Sequence, residues 1–203
     1  MVYCNYLMVY ERCVVKMKVI LLNGSRRAEG CTYTALSCLA ATLNEAHIQT
    51  EILHAEPEAS CLTAAAEKIK ACDGLVLGSP VYWASPTGEI IHFLDHLCPL
   101  VGTSLHHKVG AAVVSARRAG TTATLDVLTK YLSYHQMILV SSNYWPMVHG
   151  NTPEEVRQDA EGLQIMQVLG KNMAWVLSCL EAGKQTGIVP PPTPPKIMTN
   201  FIR

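Results

Sequence analysis

Lys18-Val19-Ile20-Leu21-Leu22-Asn23-Gly24-Ser25-Arg26-Arg27-Ala28-Glu29-Gly30-Cys31-Thr32 is the stretch that decides the fold. Lys18–Leu22 reads as a buried strand, because its apolar residues follow one another without alternation. A polar, glycine-containing turn comes next. From Thr32 to about Glu45 the pattern changes, with Leu36, Leu39, Ala40 and Leu43 recurring at steps of three and four. That spacing places them on one face of a helix. The turn therefore opens a helix, and its backbone N–H groups and the helix dipole converge on one small volume.

The same alternation repeats along the chain. Strands are expected at Gln49–Leu53, Leu75–Leu77, Val109–Val114 and Met137–Val140, with helices at about 62–71, 87–97 and 121–134. A last helix begins after Thr152-Pro153, a cap followed by an N1 proline with Glu154 and Glu155 in the first turn, and continues to about Leu180. Strands that alternate with helices need crossover connections, so the sheet is parallel and covered on both faces. Five strands in the order 2-1-3-4-5 put the ligand beyond the carboxyl ends of the first, third and fourth strands.

Composition narrows the partners. The 203 residues carry 16 Lys plus Arg and 16 Asp plus Glu, a formal net charge of zero. A balanced surface gives no electrostatic reason to expect nucleic acid or an anionic membrane. No apolar run reaches the roughly 18 residues of a spanning helix, and the start lacks a signal-peptide pattern, so a cytoplasmic protein is expected. The eight cysteines include no C-x-x-C pair, and they read as small apolar fillers. Residues 1–16 precede the first strand as an extension, 17–186 form the domain, and 187–203 are a Pro-rich tail, read as an extended arm or a disordered tail.

Three loops gather at one end of the sheet. In the first, the loop's backbone N–H groups, the Ser25 and Thr32 hydroxyls and the Arg27 guanidinium suit a phosphate. Neither the nucleotide-hydrolysing P-loop nor the G-x-G-x-x-G fingerprint is present. The second loop, Gly78 to Gly88, offers Pro80, Val81, Tyr82 and Trp83, whose aromatics suit a flat heterocycle. The third, Ser115 to Thr122, adds Ser115, Arg117, Arg118 and Gly120. His92, Asp95 and His96, with Cys98 nearby, have a metal-like spacing, but a solvated or subunit-facing helix is the better account and no metal is expected. Tyr144 and Trp145 suit the same region, a neighbouring subunit or core packing.

Together the segments GSRRAEGCT, GSPVYWASPTGEIIHFLDHL and SARRAGTTATL resemble the NADPH-dependent FMN reductase and iron–sulfur flavoprotein branch of the flavodoxin-like superfamily, from about Lys18 to Leu180. The resemblance implies an α/β flavodoxin-like three-layer sandwich, with Ser25, Arg27, Gly30, Cys31 and Thr32 of the first loop on the FMN phosphate. It places the second loop along the isoalloxazine and the third over its polar edge. It also implies NAD(P)H as co-substrate, a small-molecule electron acceptor and a homodimer or homotetramer. Iron–sulfur members carry a compact cysteine cluster where this chain has only Cys61, with Cys72 eleven residues later, so a member without the cluster is expected. An NAD(P)H-dependent flavin or quinone reductase is the leading reading. A flavodoxin-like electron carrier and a flavin-binding regulatory protein stand beside it.

Overall fold

The computed structural model describes residues 17–201 apart from Pro57. The 1–16 extension lies outside the described residues, as do residues 202 and 203. β1 (Lys18–Asn23), β2 (Gln49–His54), β3 (Gly74–Pro80) and β4 (Val109–Ala116) pair in parallel in the order β2-β1-β3-β4, and β5 (Ile138–Leu139) extends that order. Every residue of β4 is buried, and all of β3 except Pro80, as expected of strands covered on both faces. β2 is an outer strand and only half-buried; its Glu51 carboxylate takes Lys18 Nζ at 2.6 Å and Lys68 Nζ at 2.5 Å.

Two apolar layers sandwich the sheet. On one face α1 (Cys31–Glu45) and α6 (Ala160–Gln185) bury Leu36, Leu39, Leu43, Met166 and Leu169 against Val19, Leu21, Val76 and Val113. On the other, α2 (Ala59–Ala71), α3 (Gly88–Val101) and α4 (Thr121–Tyr134) bury Ile69, Phe93, Leu97 and Leu128 against Ile20, Leu22, Leu75 and Leu77. Each such side chain removed from water contributes roughly 1.5–3 kcal/mol before entropy is counted.

The outer edge departs from the expected pattern. β5 is two residues long, and a sixth strand, β6 (Met147–His149), takes over beside the upper half of β4. β4 thus pairs with β5 through Val109 and Gly110 and with β6 through Val114–Ala116. The last helix is also corrected: it is broken into α5 (Pro153–Val156) and α6. Asp159 causes the break, since its Oδ1 accepts from Gly162 N at 2.9 Å and its Oδ2 from His149 N at 2.6 Å. One carboxylate caps α6 and ties it to the end of β6. α6 runs to Gln185, five residues past the expected Leu180, and the tail then lies without regular structure. Thr193 Oγ1 reaches Gln136 Oε1 at 3.2 Å, and Lys196 Nζ stands 5.5 Å from the Tyr134 ring centre. Among the described residues no helix is long and apolar enough to cross a membrane.

Candidate flavin site at the carboxyl end of the sheet

Register alone brings the three loops together. Asn23 faces Gly78 at the ends of β1 and β3, and Pro80 faces Ser115 at the ends of β3 and β4. The first loop is shaped by its own polar side chains. Asn23 Oδ1 accepts from Ser25 N at 3.1 Å, Ser25 Oγ accepts from Arg27 N at 3.1 Å, and Asn23 Nδ2 donates to Ala28 O at 2.9 Å. Such side-chain turns replace the strand ladder as the chain bends toward α1. His54, at the end of β2, holds the Ser25 carbonyl through Nε2 at 2.5 Å.

At the start of α1, the N-cap Gly30 has no side-chain cap and the first turn contains no acidic residue. The first intrahelical bond is Thr34 N to Gly30 O at 3.0 Å, so the N–H groups of Cys31, Thr32 and Tyr33 have no intrahelical acceptor. Gly30 is buried, and a Cβ built there would lie 3.2 Å from Arg27 Cβ. A bare, glycine-lined helix end with an exposed Arg27 beside it fits a phosphate. Burial pushes the Cys31 thiol above its ordinary pKa, and Sγ points to Gly150 O at 3.7 Å. Cys31 therefore offers the site its backbone N–H rather than a thiolate.

The second and third loops lock onto the first. Gly24 N donates to Gly78 O at 2.8 Å, and Thr87 Oγ1 donates to Gly24 O at 2.7 Å. Thr32 and Ser115, exposed by only 0% and 2%, join their hydroxyls at 2.8 Å. Those hydroxyls form a buried bridge from α1 to the end of β4. Val81 N donates to Ser115 O at 2.9 Å. Gly120 has φ +94°, and a Cβ there would fall 2.7 Å from Ala84 Cα, so only glycine lets the third loop meet the second.

Beyond Val81 the chain makes a two-residue hairpin in which Tyr82 N and Ser85 O, and Ser85 N and Tyr82 O, pair at 2.9 and 3.0 Å. Its central residues, Trp83 and Ala84, have φ of +53° and +57°. That turn ordinarily takes Asn-Gly, and bulkier residues there cost about 1–3 kcal/mol each. Tyr82 is 39% exposed and Trp83 100%. Arg117 and Arg118 are exposed, and Pro80 and Val81 half-buried.

Arg26 escaped the sequence reading. Its Nε bonds Glu89 Oε1 at 2.6 Å, and its guanidinium carbon stands 5.3 Å from the Tyr82 ring centre. This clasp joins the first loop, the second loop and the start of α3. Only a knowledge of which helix follows the second loop would have revealed it. The His92–His96 pair is turned to its own helix, with His96 Nδ1 at 2.8 Å from His92 O, while Asp95 accepts from Tyr131 of α4 at 2.7 Å. Tyr144 and Trp145 are half-exposed, their rings 4.9 Å apart.

With this geometry in place, comparison with known proteins is decisive. A family model described as NADPH-dependent FMN reductase matches residues 17–152, two-thirds of the chain. The chain belongs to the NADPH-dependent FMN reductase family. Membership makes it an FMN-binding oxidoreductase at the coarse level. An iron–sulfur flavoprotein of Methanocaldococcus jannaschii is 29% identical over 193 residues, covering 81% of this chain and all of the relative. An iron–sulfur flavoprotein of Methanosarcina thermophila is 27% identical over 122 residues, covering 58% of this chain and 63% of the relative. Among solved structures, RosB with a bound flavin intermediate aligns with TM-score 0.68 at 15% identity, over 91% of this chain and 92% of that one. A flavodoxin, WrbA-like protein of Agrobacterium tumefaciens aligns with TM-score 0.64 at 18% identity, over 81% of this chain and 99% of that one. Both show the shared fold.

Among the described residues between β2 and α3, the thiols that could match the iron–sulfur half of the first relative's name are Cys61 and Cys72. Cys61 donates to Glu56 Oε2 at 3.4 Å, whereas Cys72 is buried and donates to Ile69 O at 3.1 Å. Two cysteines at opposite ends of α2 do not make a compact ligand set.

Proposed function

We propose that this chain is an NAD(P)H-dependent reductase that passes electrons through bound FMN to a flavin, a quinone or a similar small acceptor. The observation that carries the reading is the bare start of α1, beside three loops joined to one another by the backbone pairs Gly24–Gly78 and Val81–Ser115. Arg27 and the N–H groups of Gly30, Cys31 and Thr32 would hold the phosphate. Pro80, Val81 and Tyr82 would flank the ring, with Ser115, Arg117, Arg118 and Gly120 at its polar edge. When bound, FMN supplies hydride acceptance and electron delivery, which no side chain provides. The protein's part is to position the ring, to offer donors where negative charge develops, and to leave one face open.

Anaerobic addition of NADPH to the FMN-loaded protein tests this directly. Fast bleaching of the flavin band is the expected result. Bleaching only after an external reductase is added would make the chain an electron carrier instead. A homodimer or homotetramer is proposed from the family resemblance, and sedimentation of the loaded protein measures it.

A further inference from the structure

We propose that Trp83 is the stacking surface for a planar aromatic electron acceptor, a quinone-like ring, and is not a support for the flavin itself. The proposal rests on the reading that this end of the sheet holds FMN. Trp83 is 100% exposed, so the indole gains nothing from the chain that carries it. It also occupies a left-handed backbone position, φ +53°, that disfavours a bulky side chain. A residue that costs the fold in both respects has its use outside the fold.

The mounting is rigid rather than loose. Val81 is tied to Ser115 O below the hairpin, Gly120 packs against Ala84 on one side, and Tyr82 lies under the Arg26 guanidinium on the other. Tyr82 and Ser85 close the turn by two hydrogen bonds. The backbone that carries the indole is thus fixed at the tip of the second loop, beyond the half-buried Pro80 and Val81. Arg26 brings a cation beside the two aromatics, and its Nε alone is committed to Glu89. Its terminal nitrogens suit an acceptor whose oxygens gain negative charge as it is reduced. The net reaction balances as NAD(P)H plus one proton plus quinone giving NAD(P)⁺ plus hydroquinone.

FMN-loaded protein, NADPH and two acceptors, the planar menadione and the octahedral ferricyanide, test the proposal. In Trp83→Ala the ratio of kcat/KM for menadione to that for ferricyanide should fall about 10-fold, through KM, with the flavin spectrum retained. Trp83→Phe should keep the ratio within about 3-fold of the parent. Trp83→Asn separates function from folding: Asn accepts positive φ, so Tm should rise while the ratio falls as in the alanine variant. An equal loss toward both acceptors, no change in the ratio, or release of FMN from Trp83→Ala would each overturn the proposal. So would an FMN-loaded parent that reduces ferricyanide but not menadione. A parent that never binds FMN is a separate failure, of the underlying reading, and shows before any variant is made.

Discussion

Two helices begin at the same end of the sheet and are finished in opposite ways. α3 is sealed: Thr87 Oγ1 accepts from Ile90 N at 3.2 Å, and Glu89 lies in the first turn. α1 is left open, with glycine at the cap and no acidic side chain in its first turn. α4 resembles α1, starting at Gly120 without a side-chain cap. A chain that caps α3, α5 and α6 with Thr87, Thr152 and Asp159 leaves α1, α2 and α4 without a side-chain cap, and α1 and α4 open beside the proposed flavin site. If the proposed site holds a phosphate, local stability and ligand affinity compete at the starts of α1 and α4.

The strongest way to break that contrast is to close α1. Gly30→Asp would add a capping carboxylate where the phosphate is expected. FMN affinity should fall about 100-fold or more by fluorescence titration, with Tm of the FMN-free protein unchanged or raised. Gly120→Ala comes next. With φ at +94° and Ala84 Cα 2.7 Å from the new methyl, it should lower stability by about 2–3 kcal/mol in urea unfolding. Opening α3 is milder. Thr87→Val loses the cap to Ile90 and the bond to Gly24 O, and should cost about 1–2 kcal/mol with the heavier loss near the first loop, readable by hydrogen exchange.

Glu89 gives the smallest and most selective effect. Its own backbone N–H at the start of α3, and then Arg26, hold its carboxyl below the usual range. A depressed folded-state pKa stabilises the fold at pH above the unfolded value, and the benefit disappears as pH falls through the folded value. Because the side chain is 35% exposed, the discounted contribution is about 0.5 kcal/mol. Glu89→Gln should therefore lower stability by about that much at pH 7 and not at all near pH 2, as measured by urea unfolding at the two pH values.

Much of the frame is legible in the chain. Val19–Leu22 and Val109–Val114 are too uniformly apolar to be anything but doubly covered strands, and the turns after them name the site. The outer edge is not legible, because Ile138–Leu139 and Met147–His149 are too short for a period to develop. Their strand character comes from pairing with β4. The break before α6 did leave a trace, Asp159 three residues ahead of Gly162, but a run of helix formers hid it. At the site, spacing located the loops yet did not show which polar groups turn inward. Thr32 and Ser115 are hydroxyls 83 residues apart, and only the completed sheet makes them neighbours. Arg26 was indistinguishable from Arg27 until α3 supplied Glu89.

The Thr32–Ser115 hydroxyl contact bears on the order of events as well as on shape. A buried link between the start of α1 and the end of β4 makes two recognition segments one rigid frame, set when the domain folds. At the proposed flavin site an incoming nucleotide would then meet an already assembled cradle, and its capture would be set by access past the loop tips rather than by ordering of the chain.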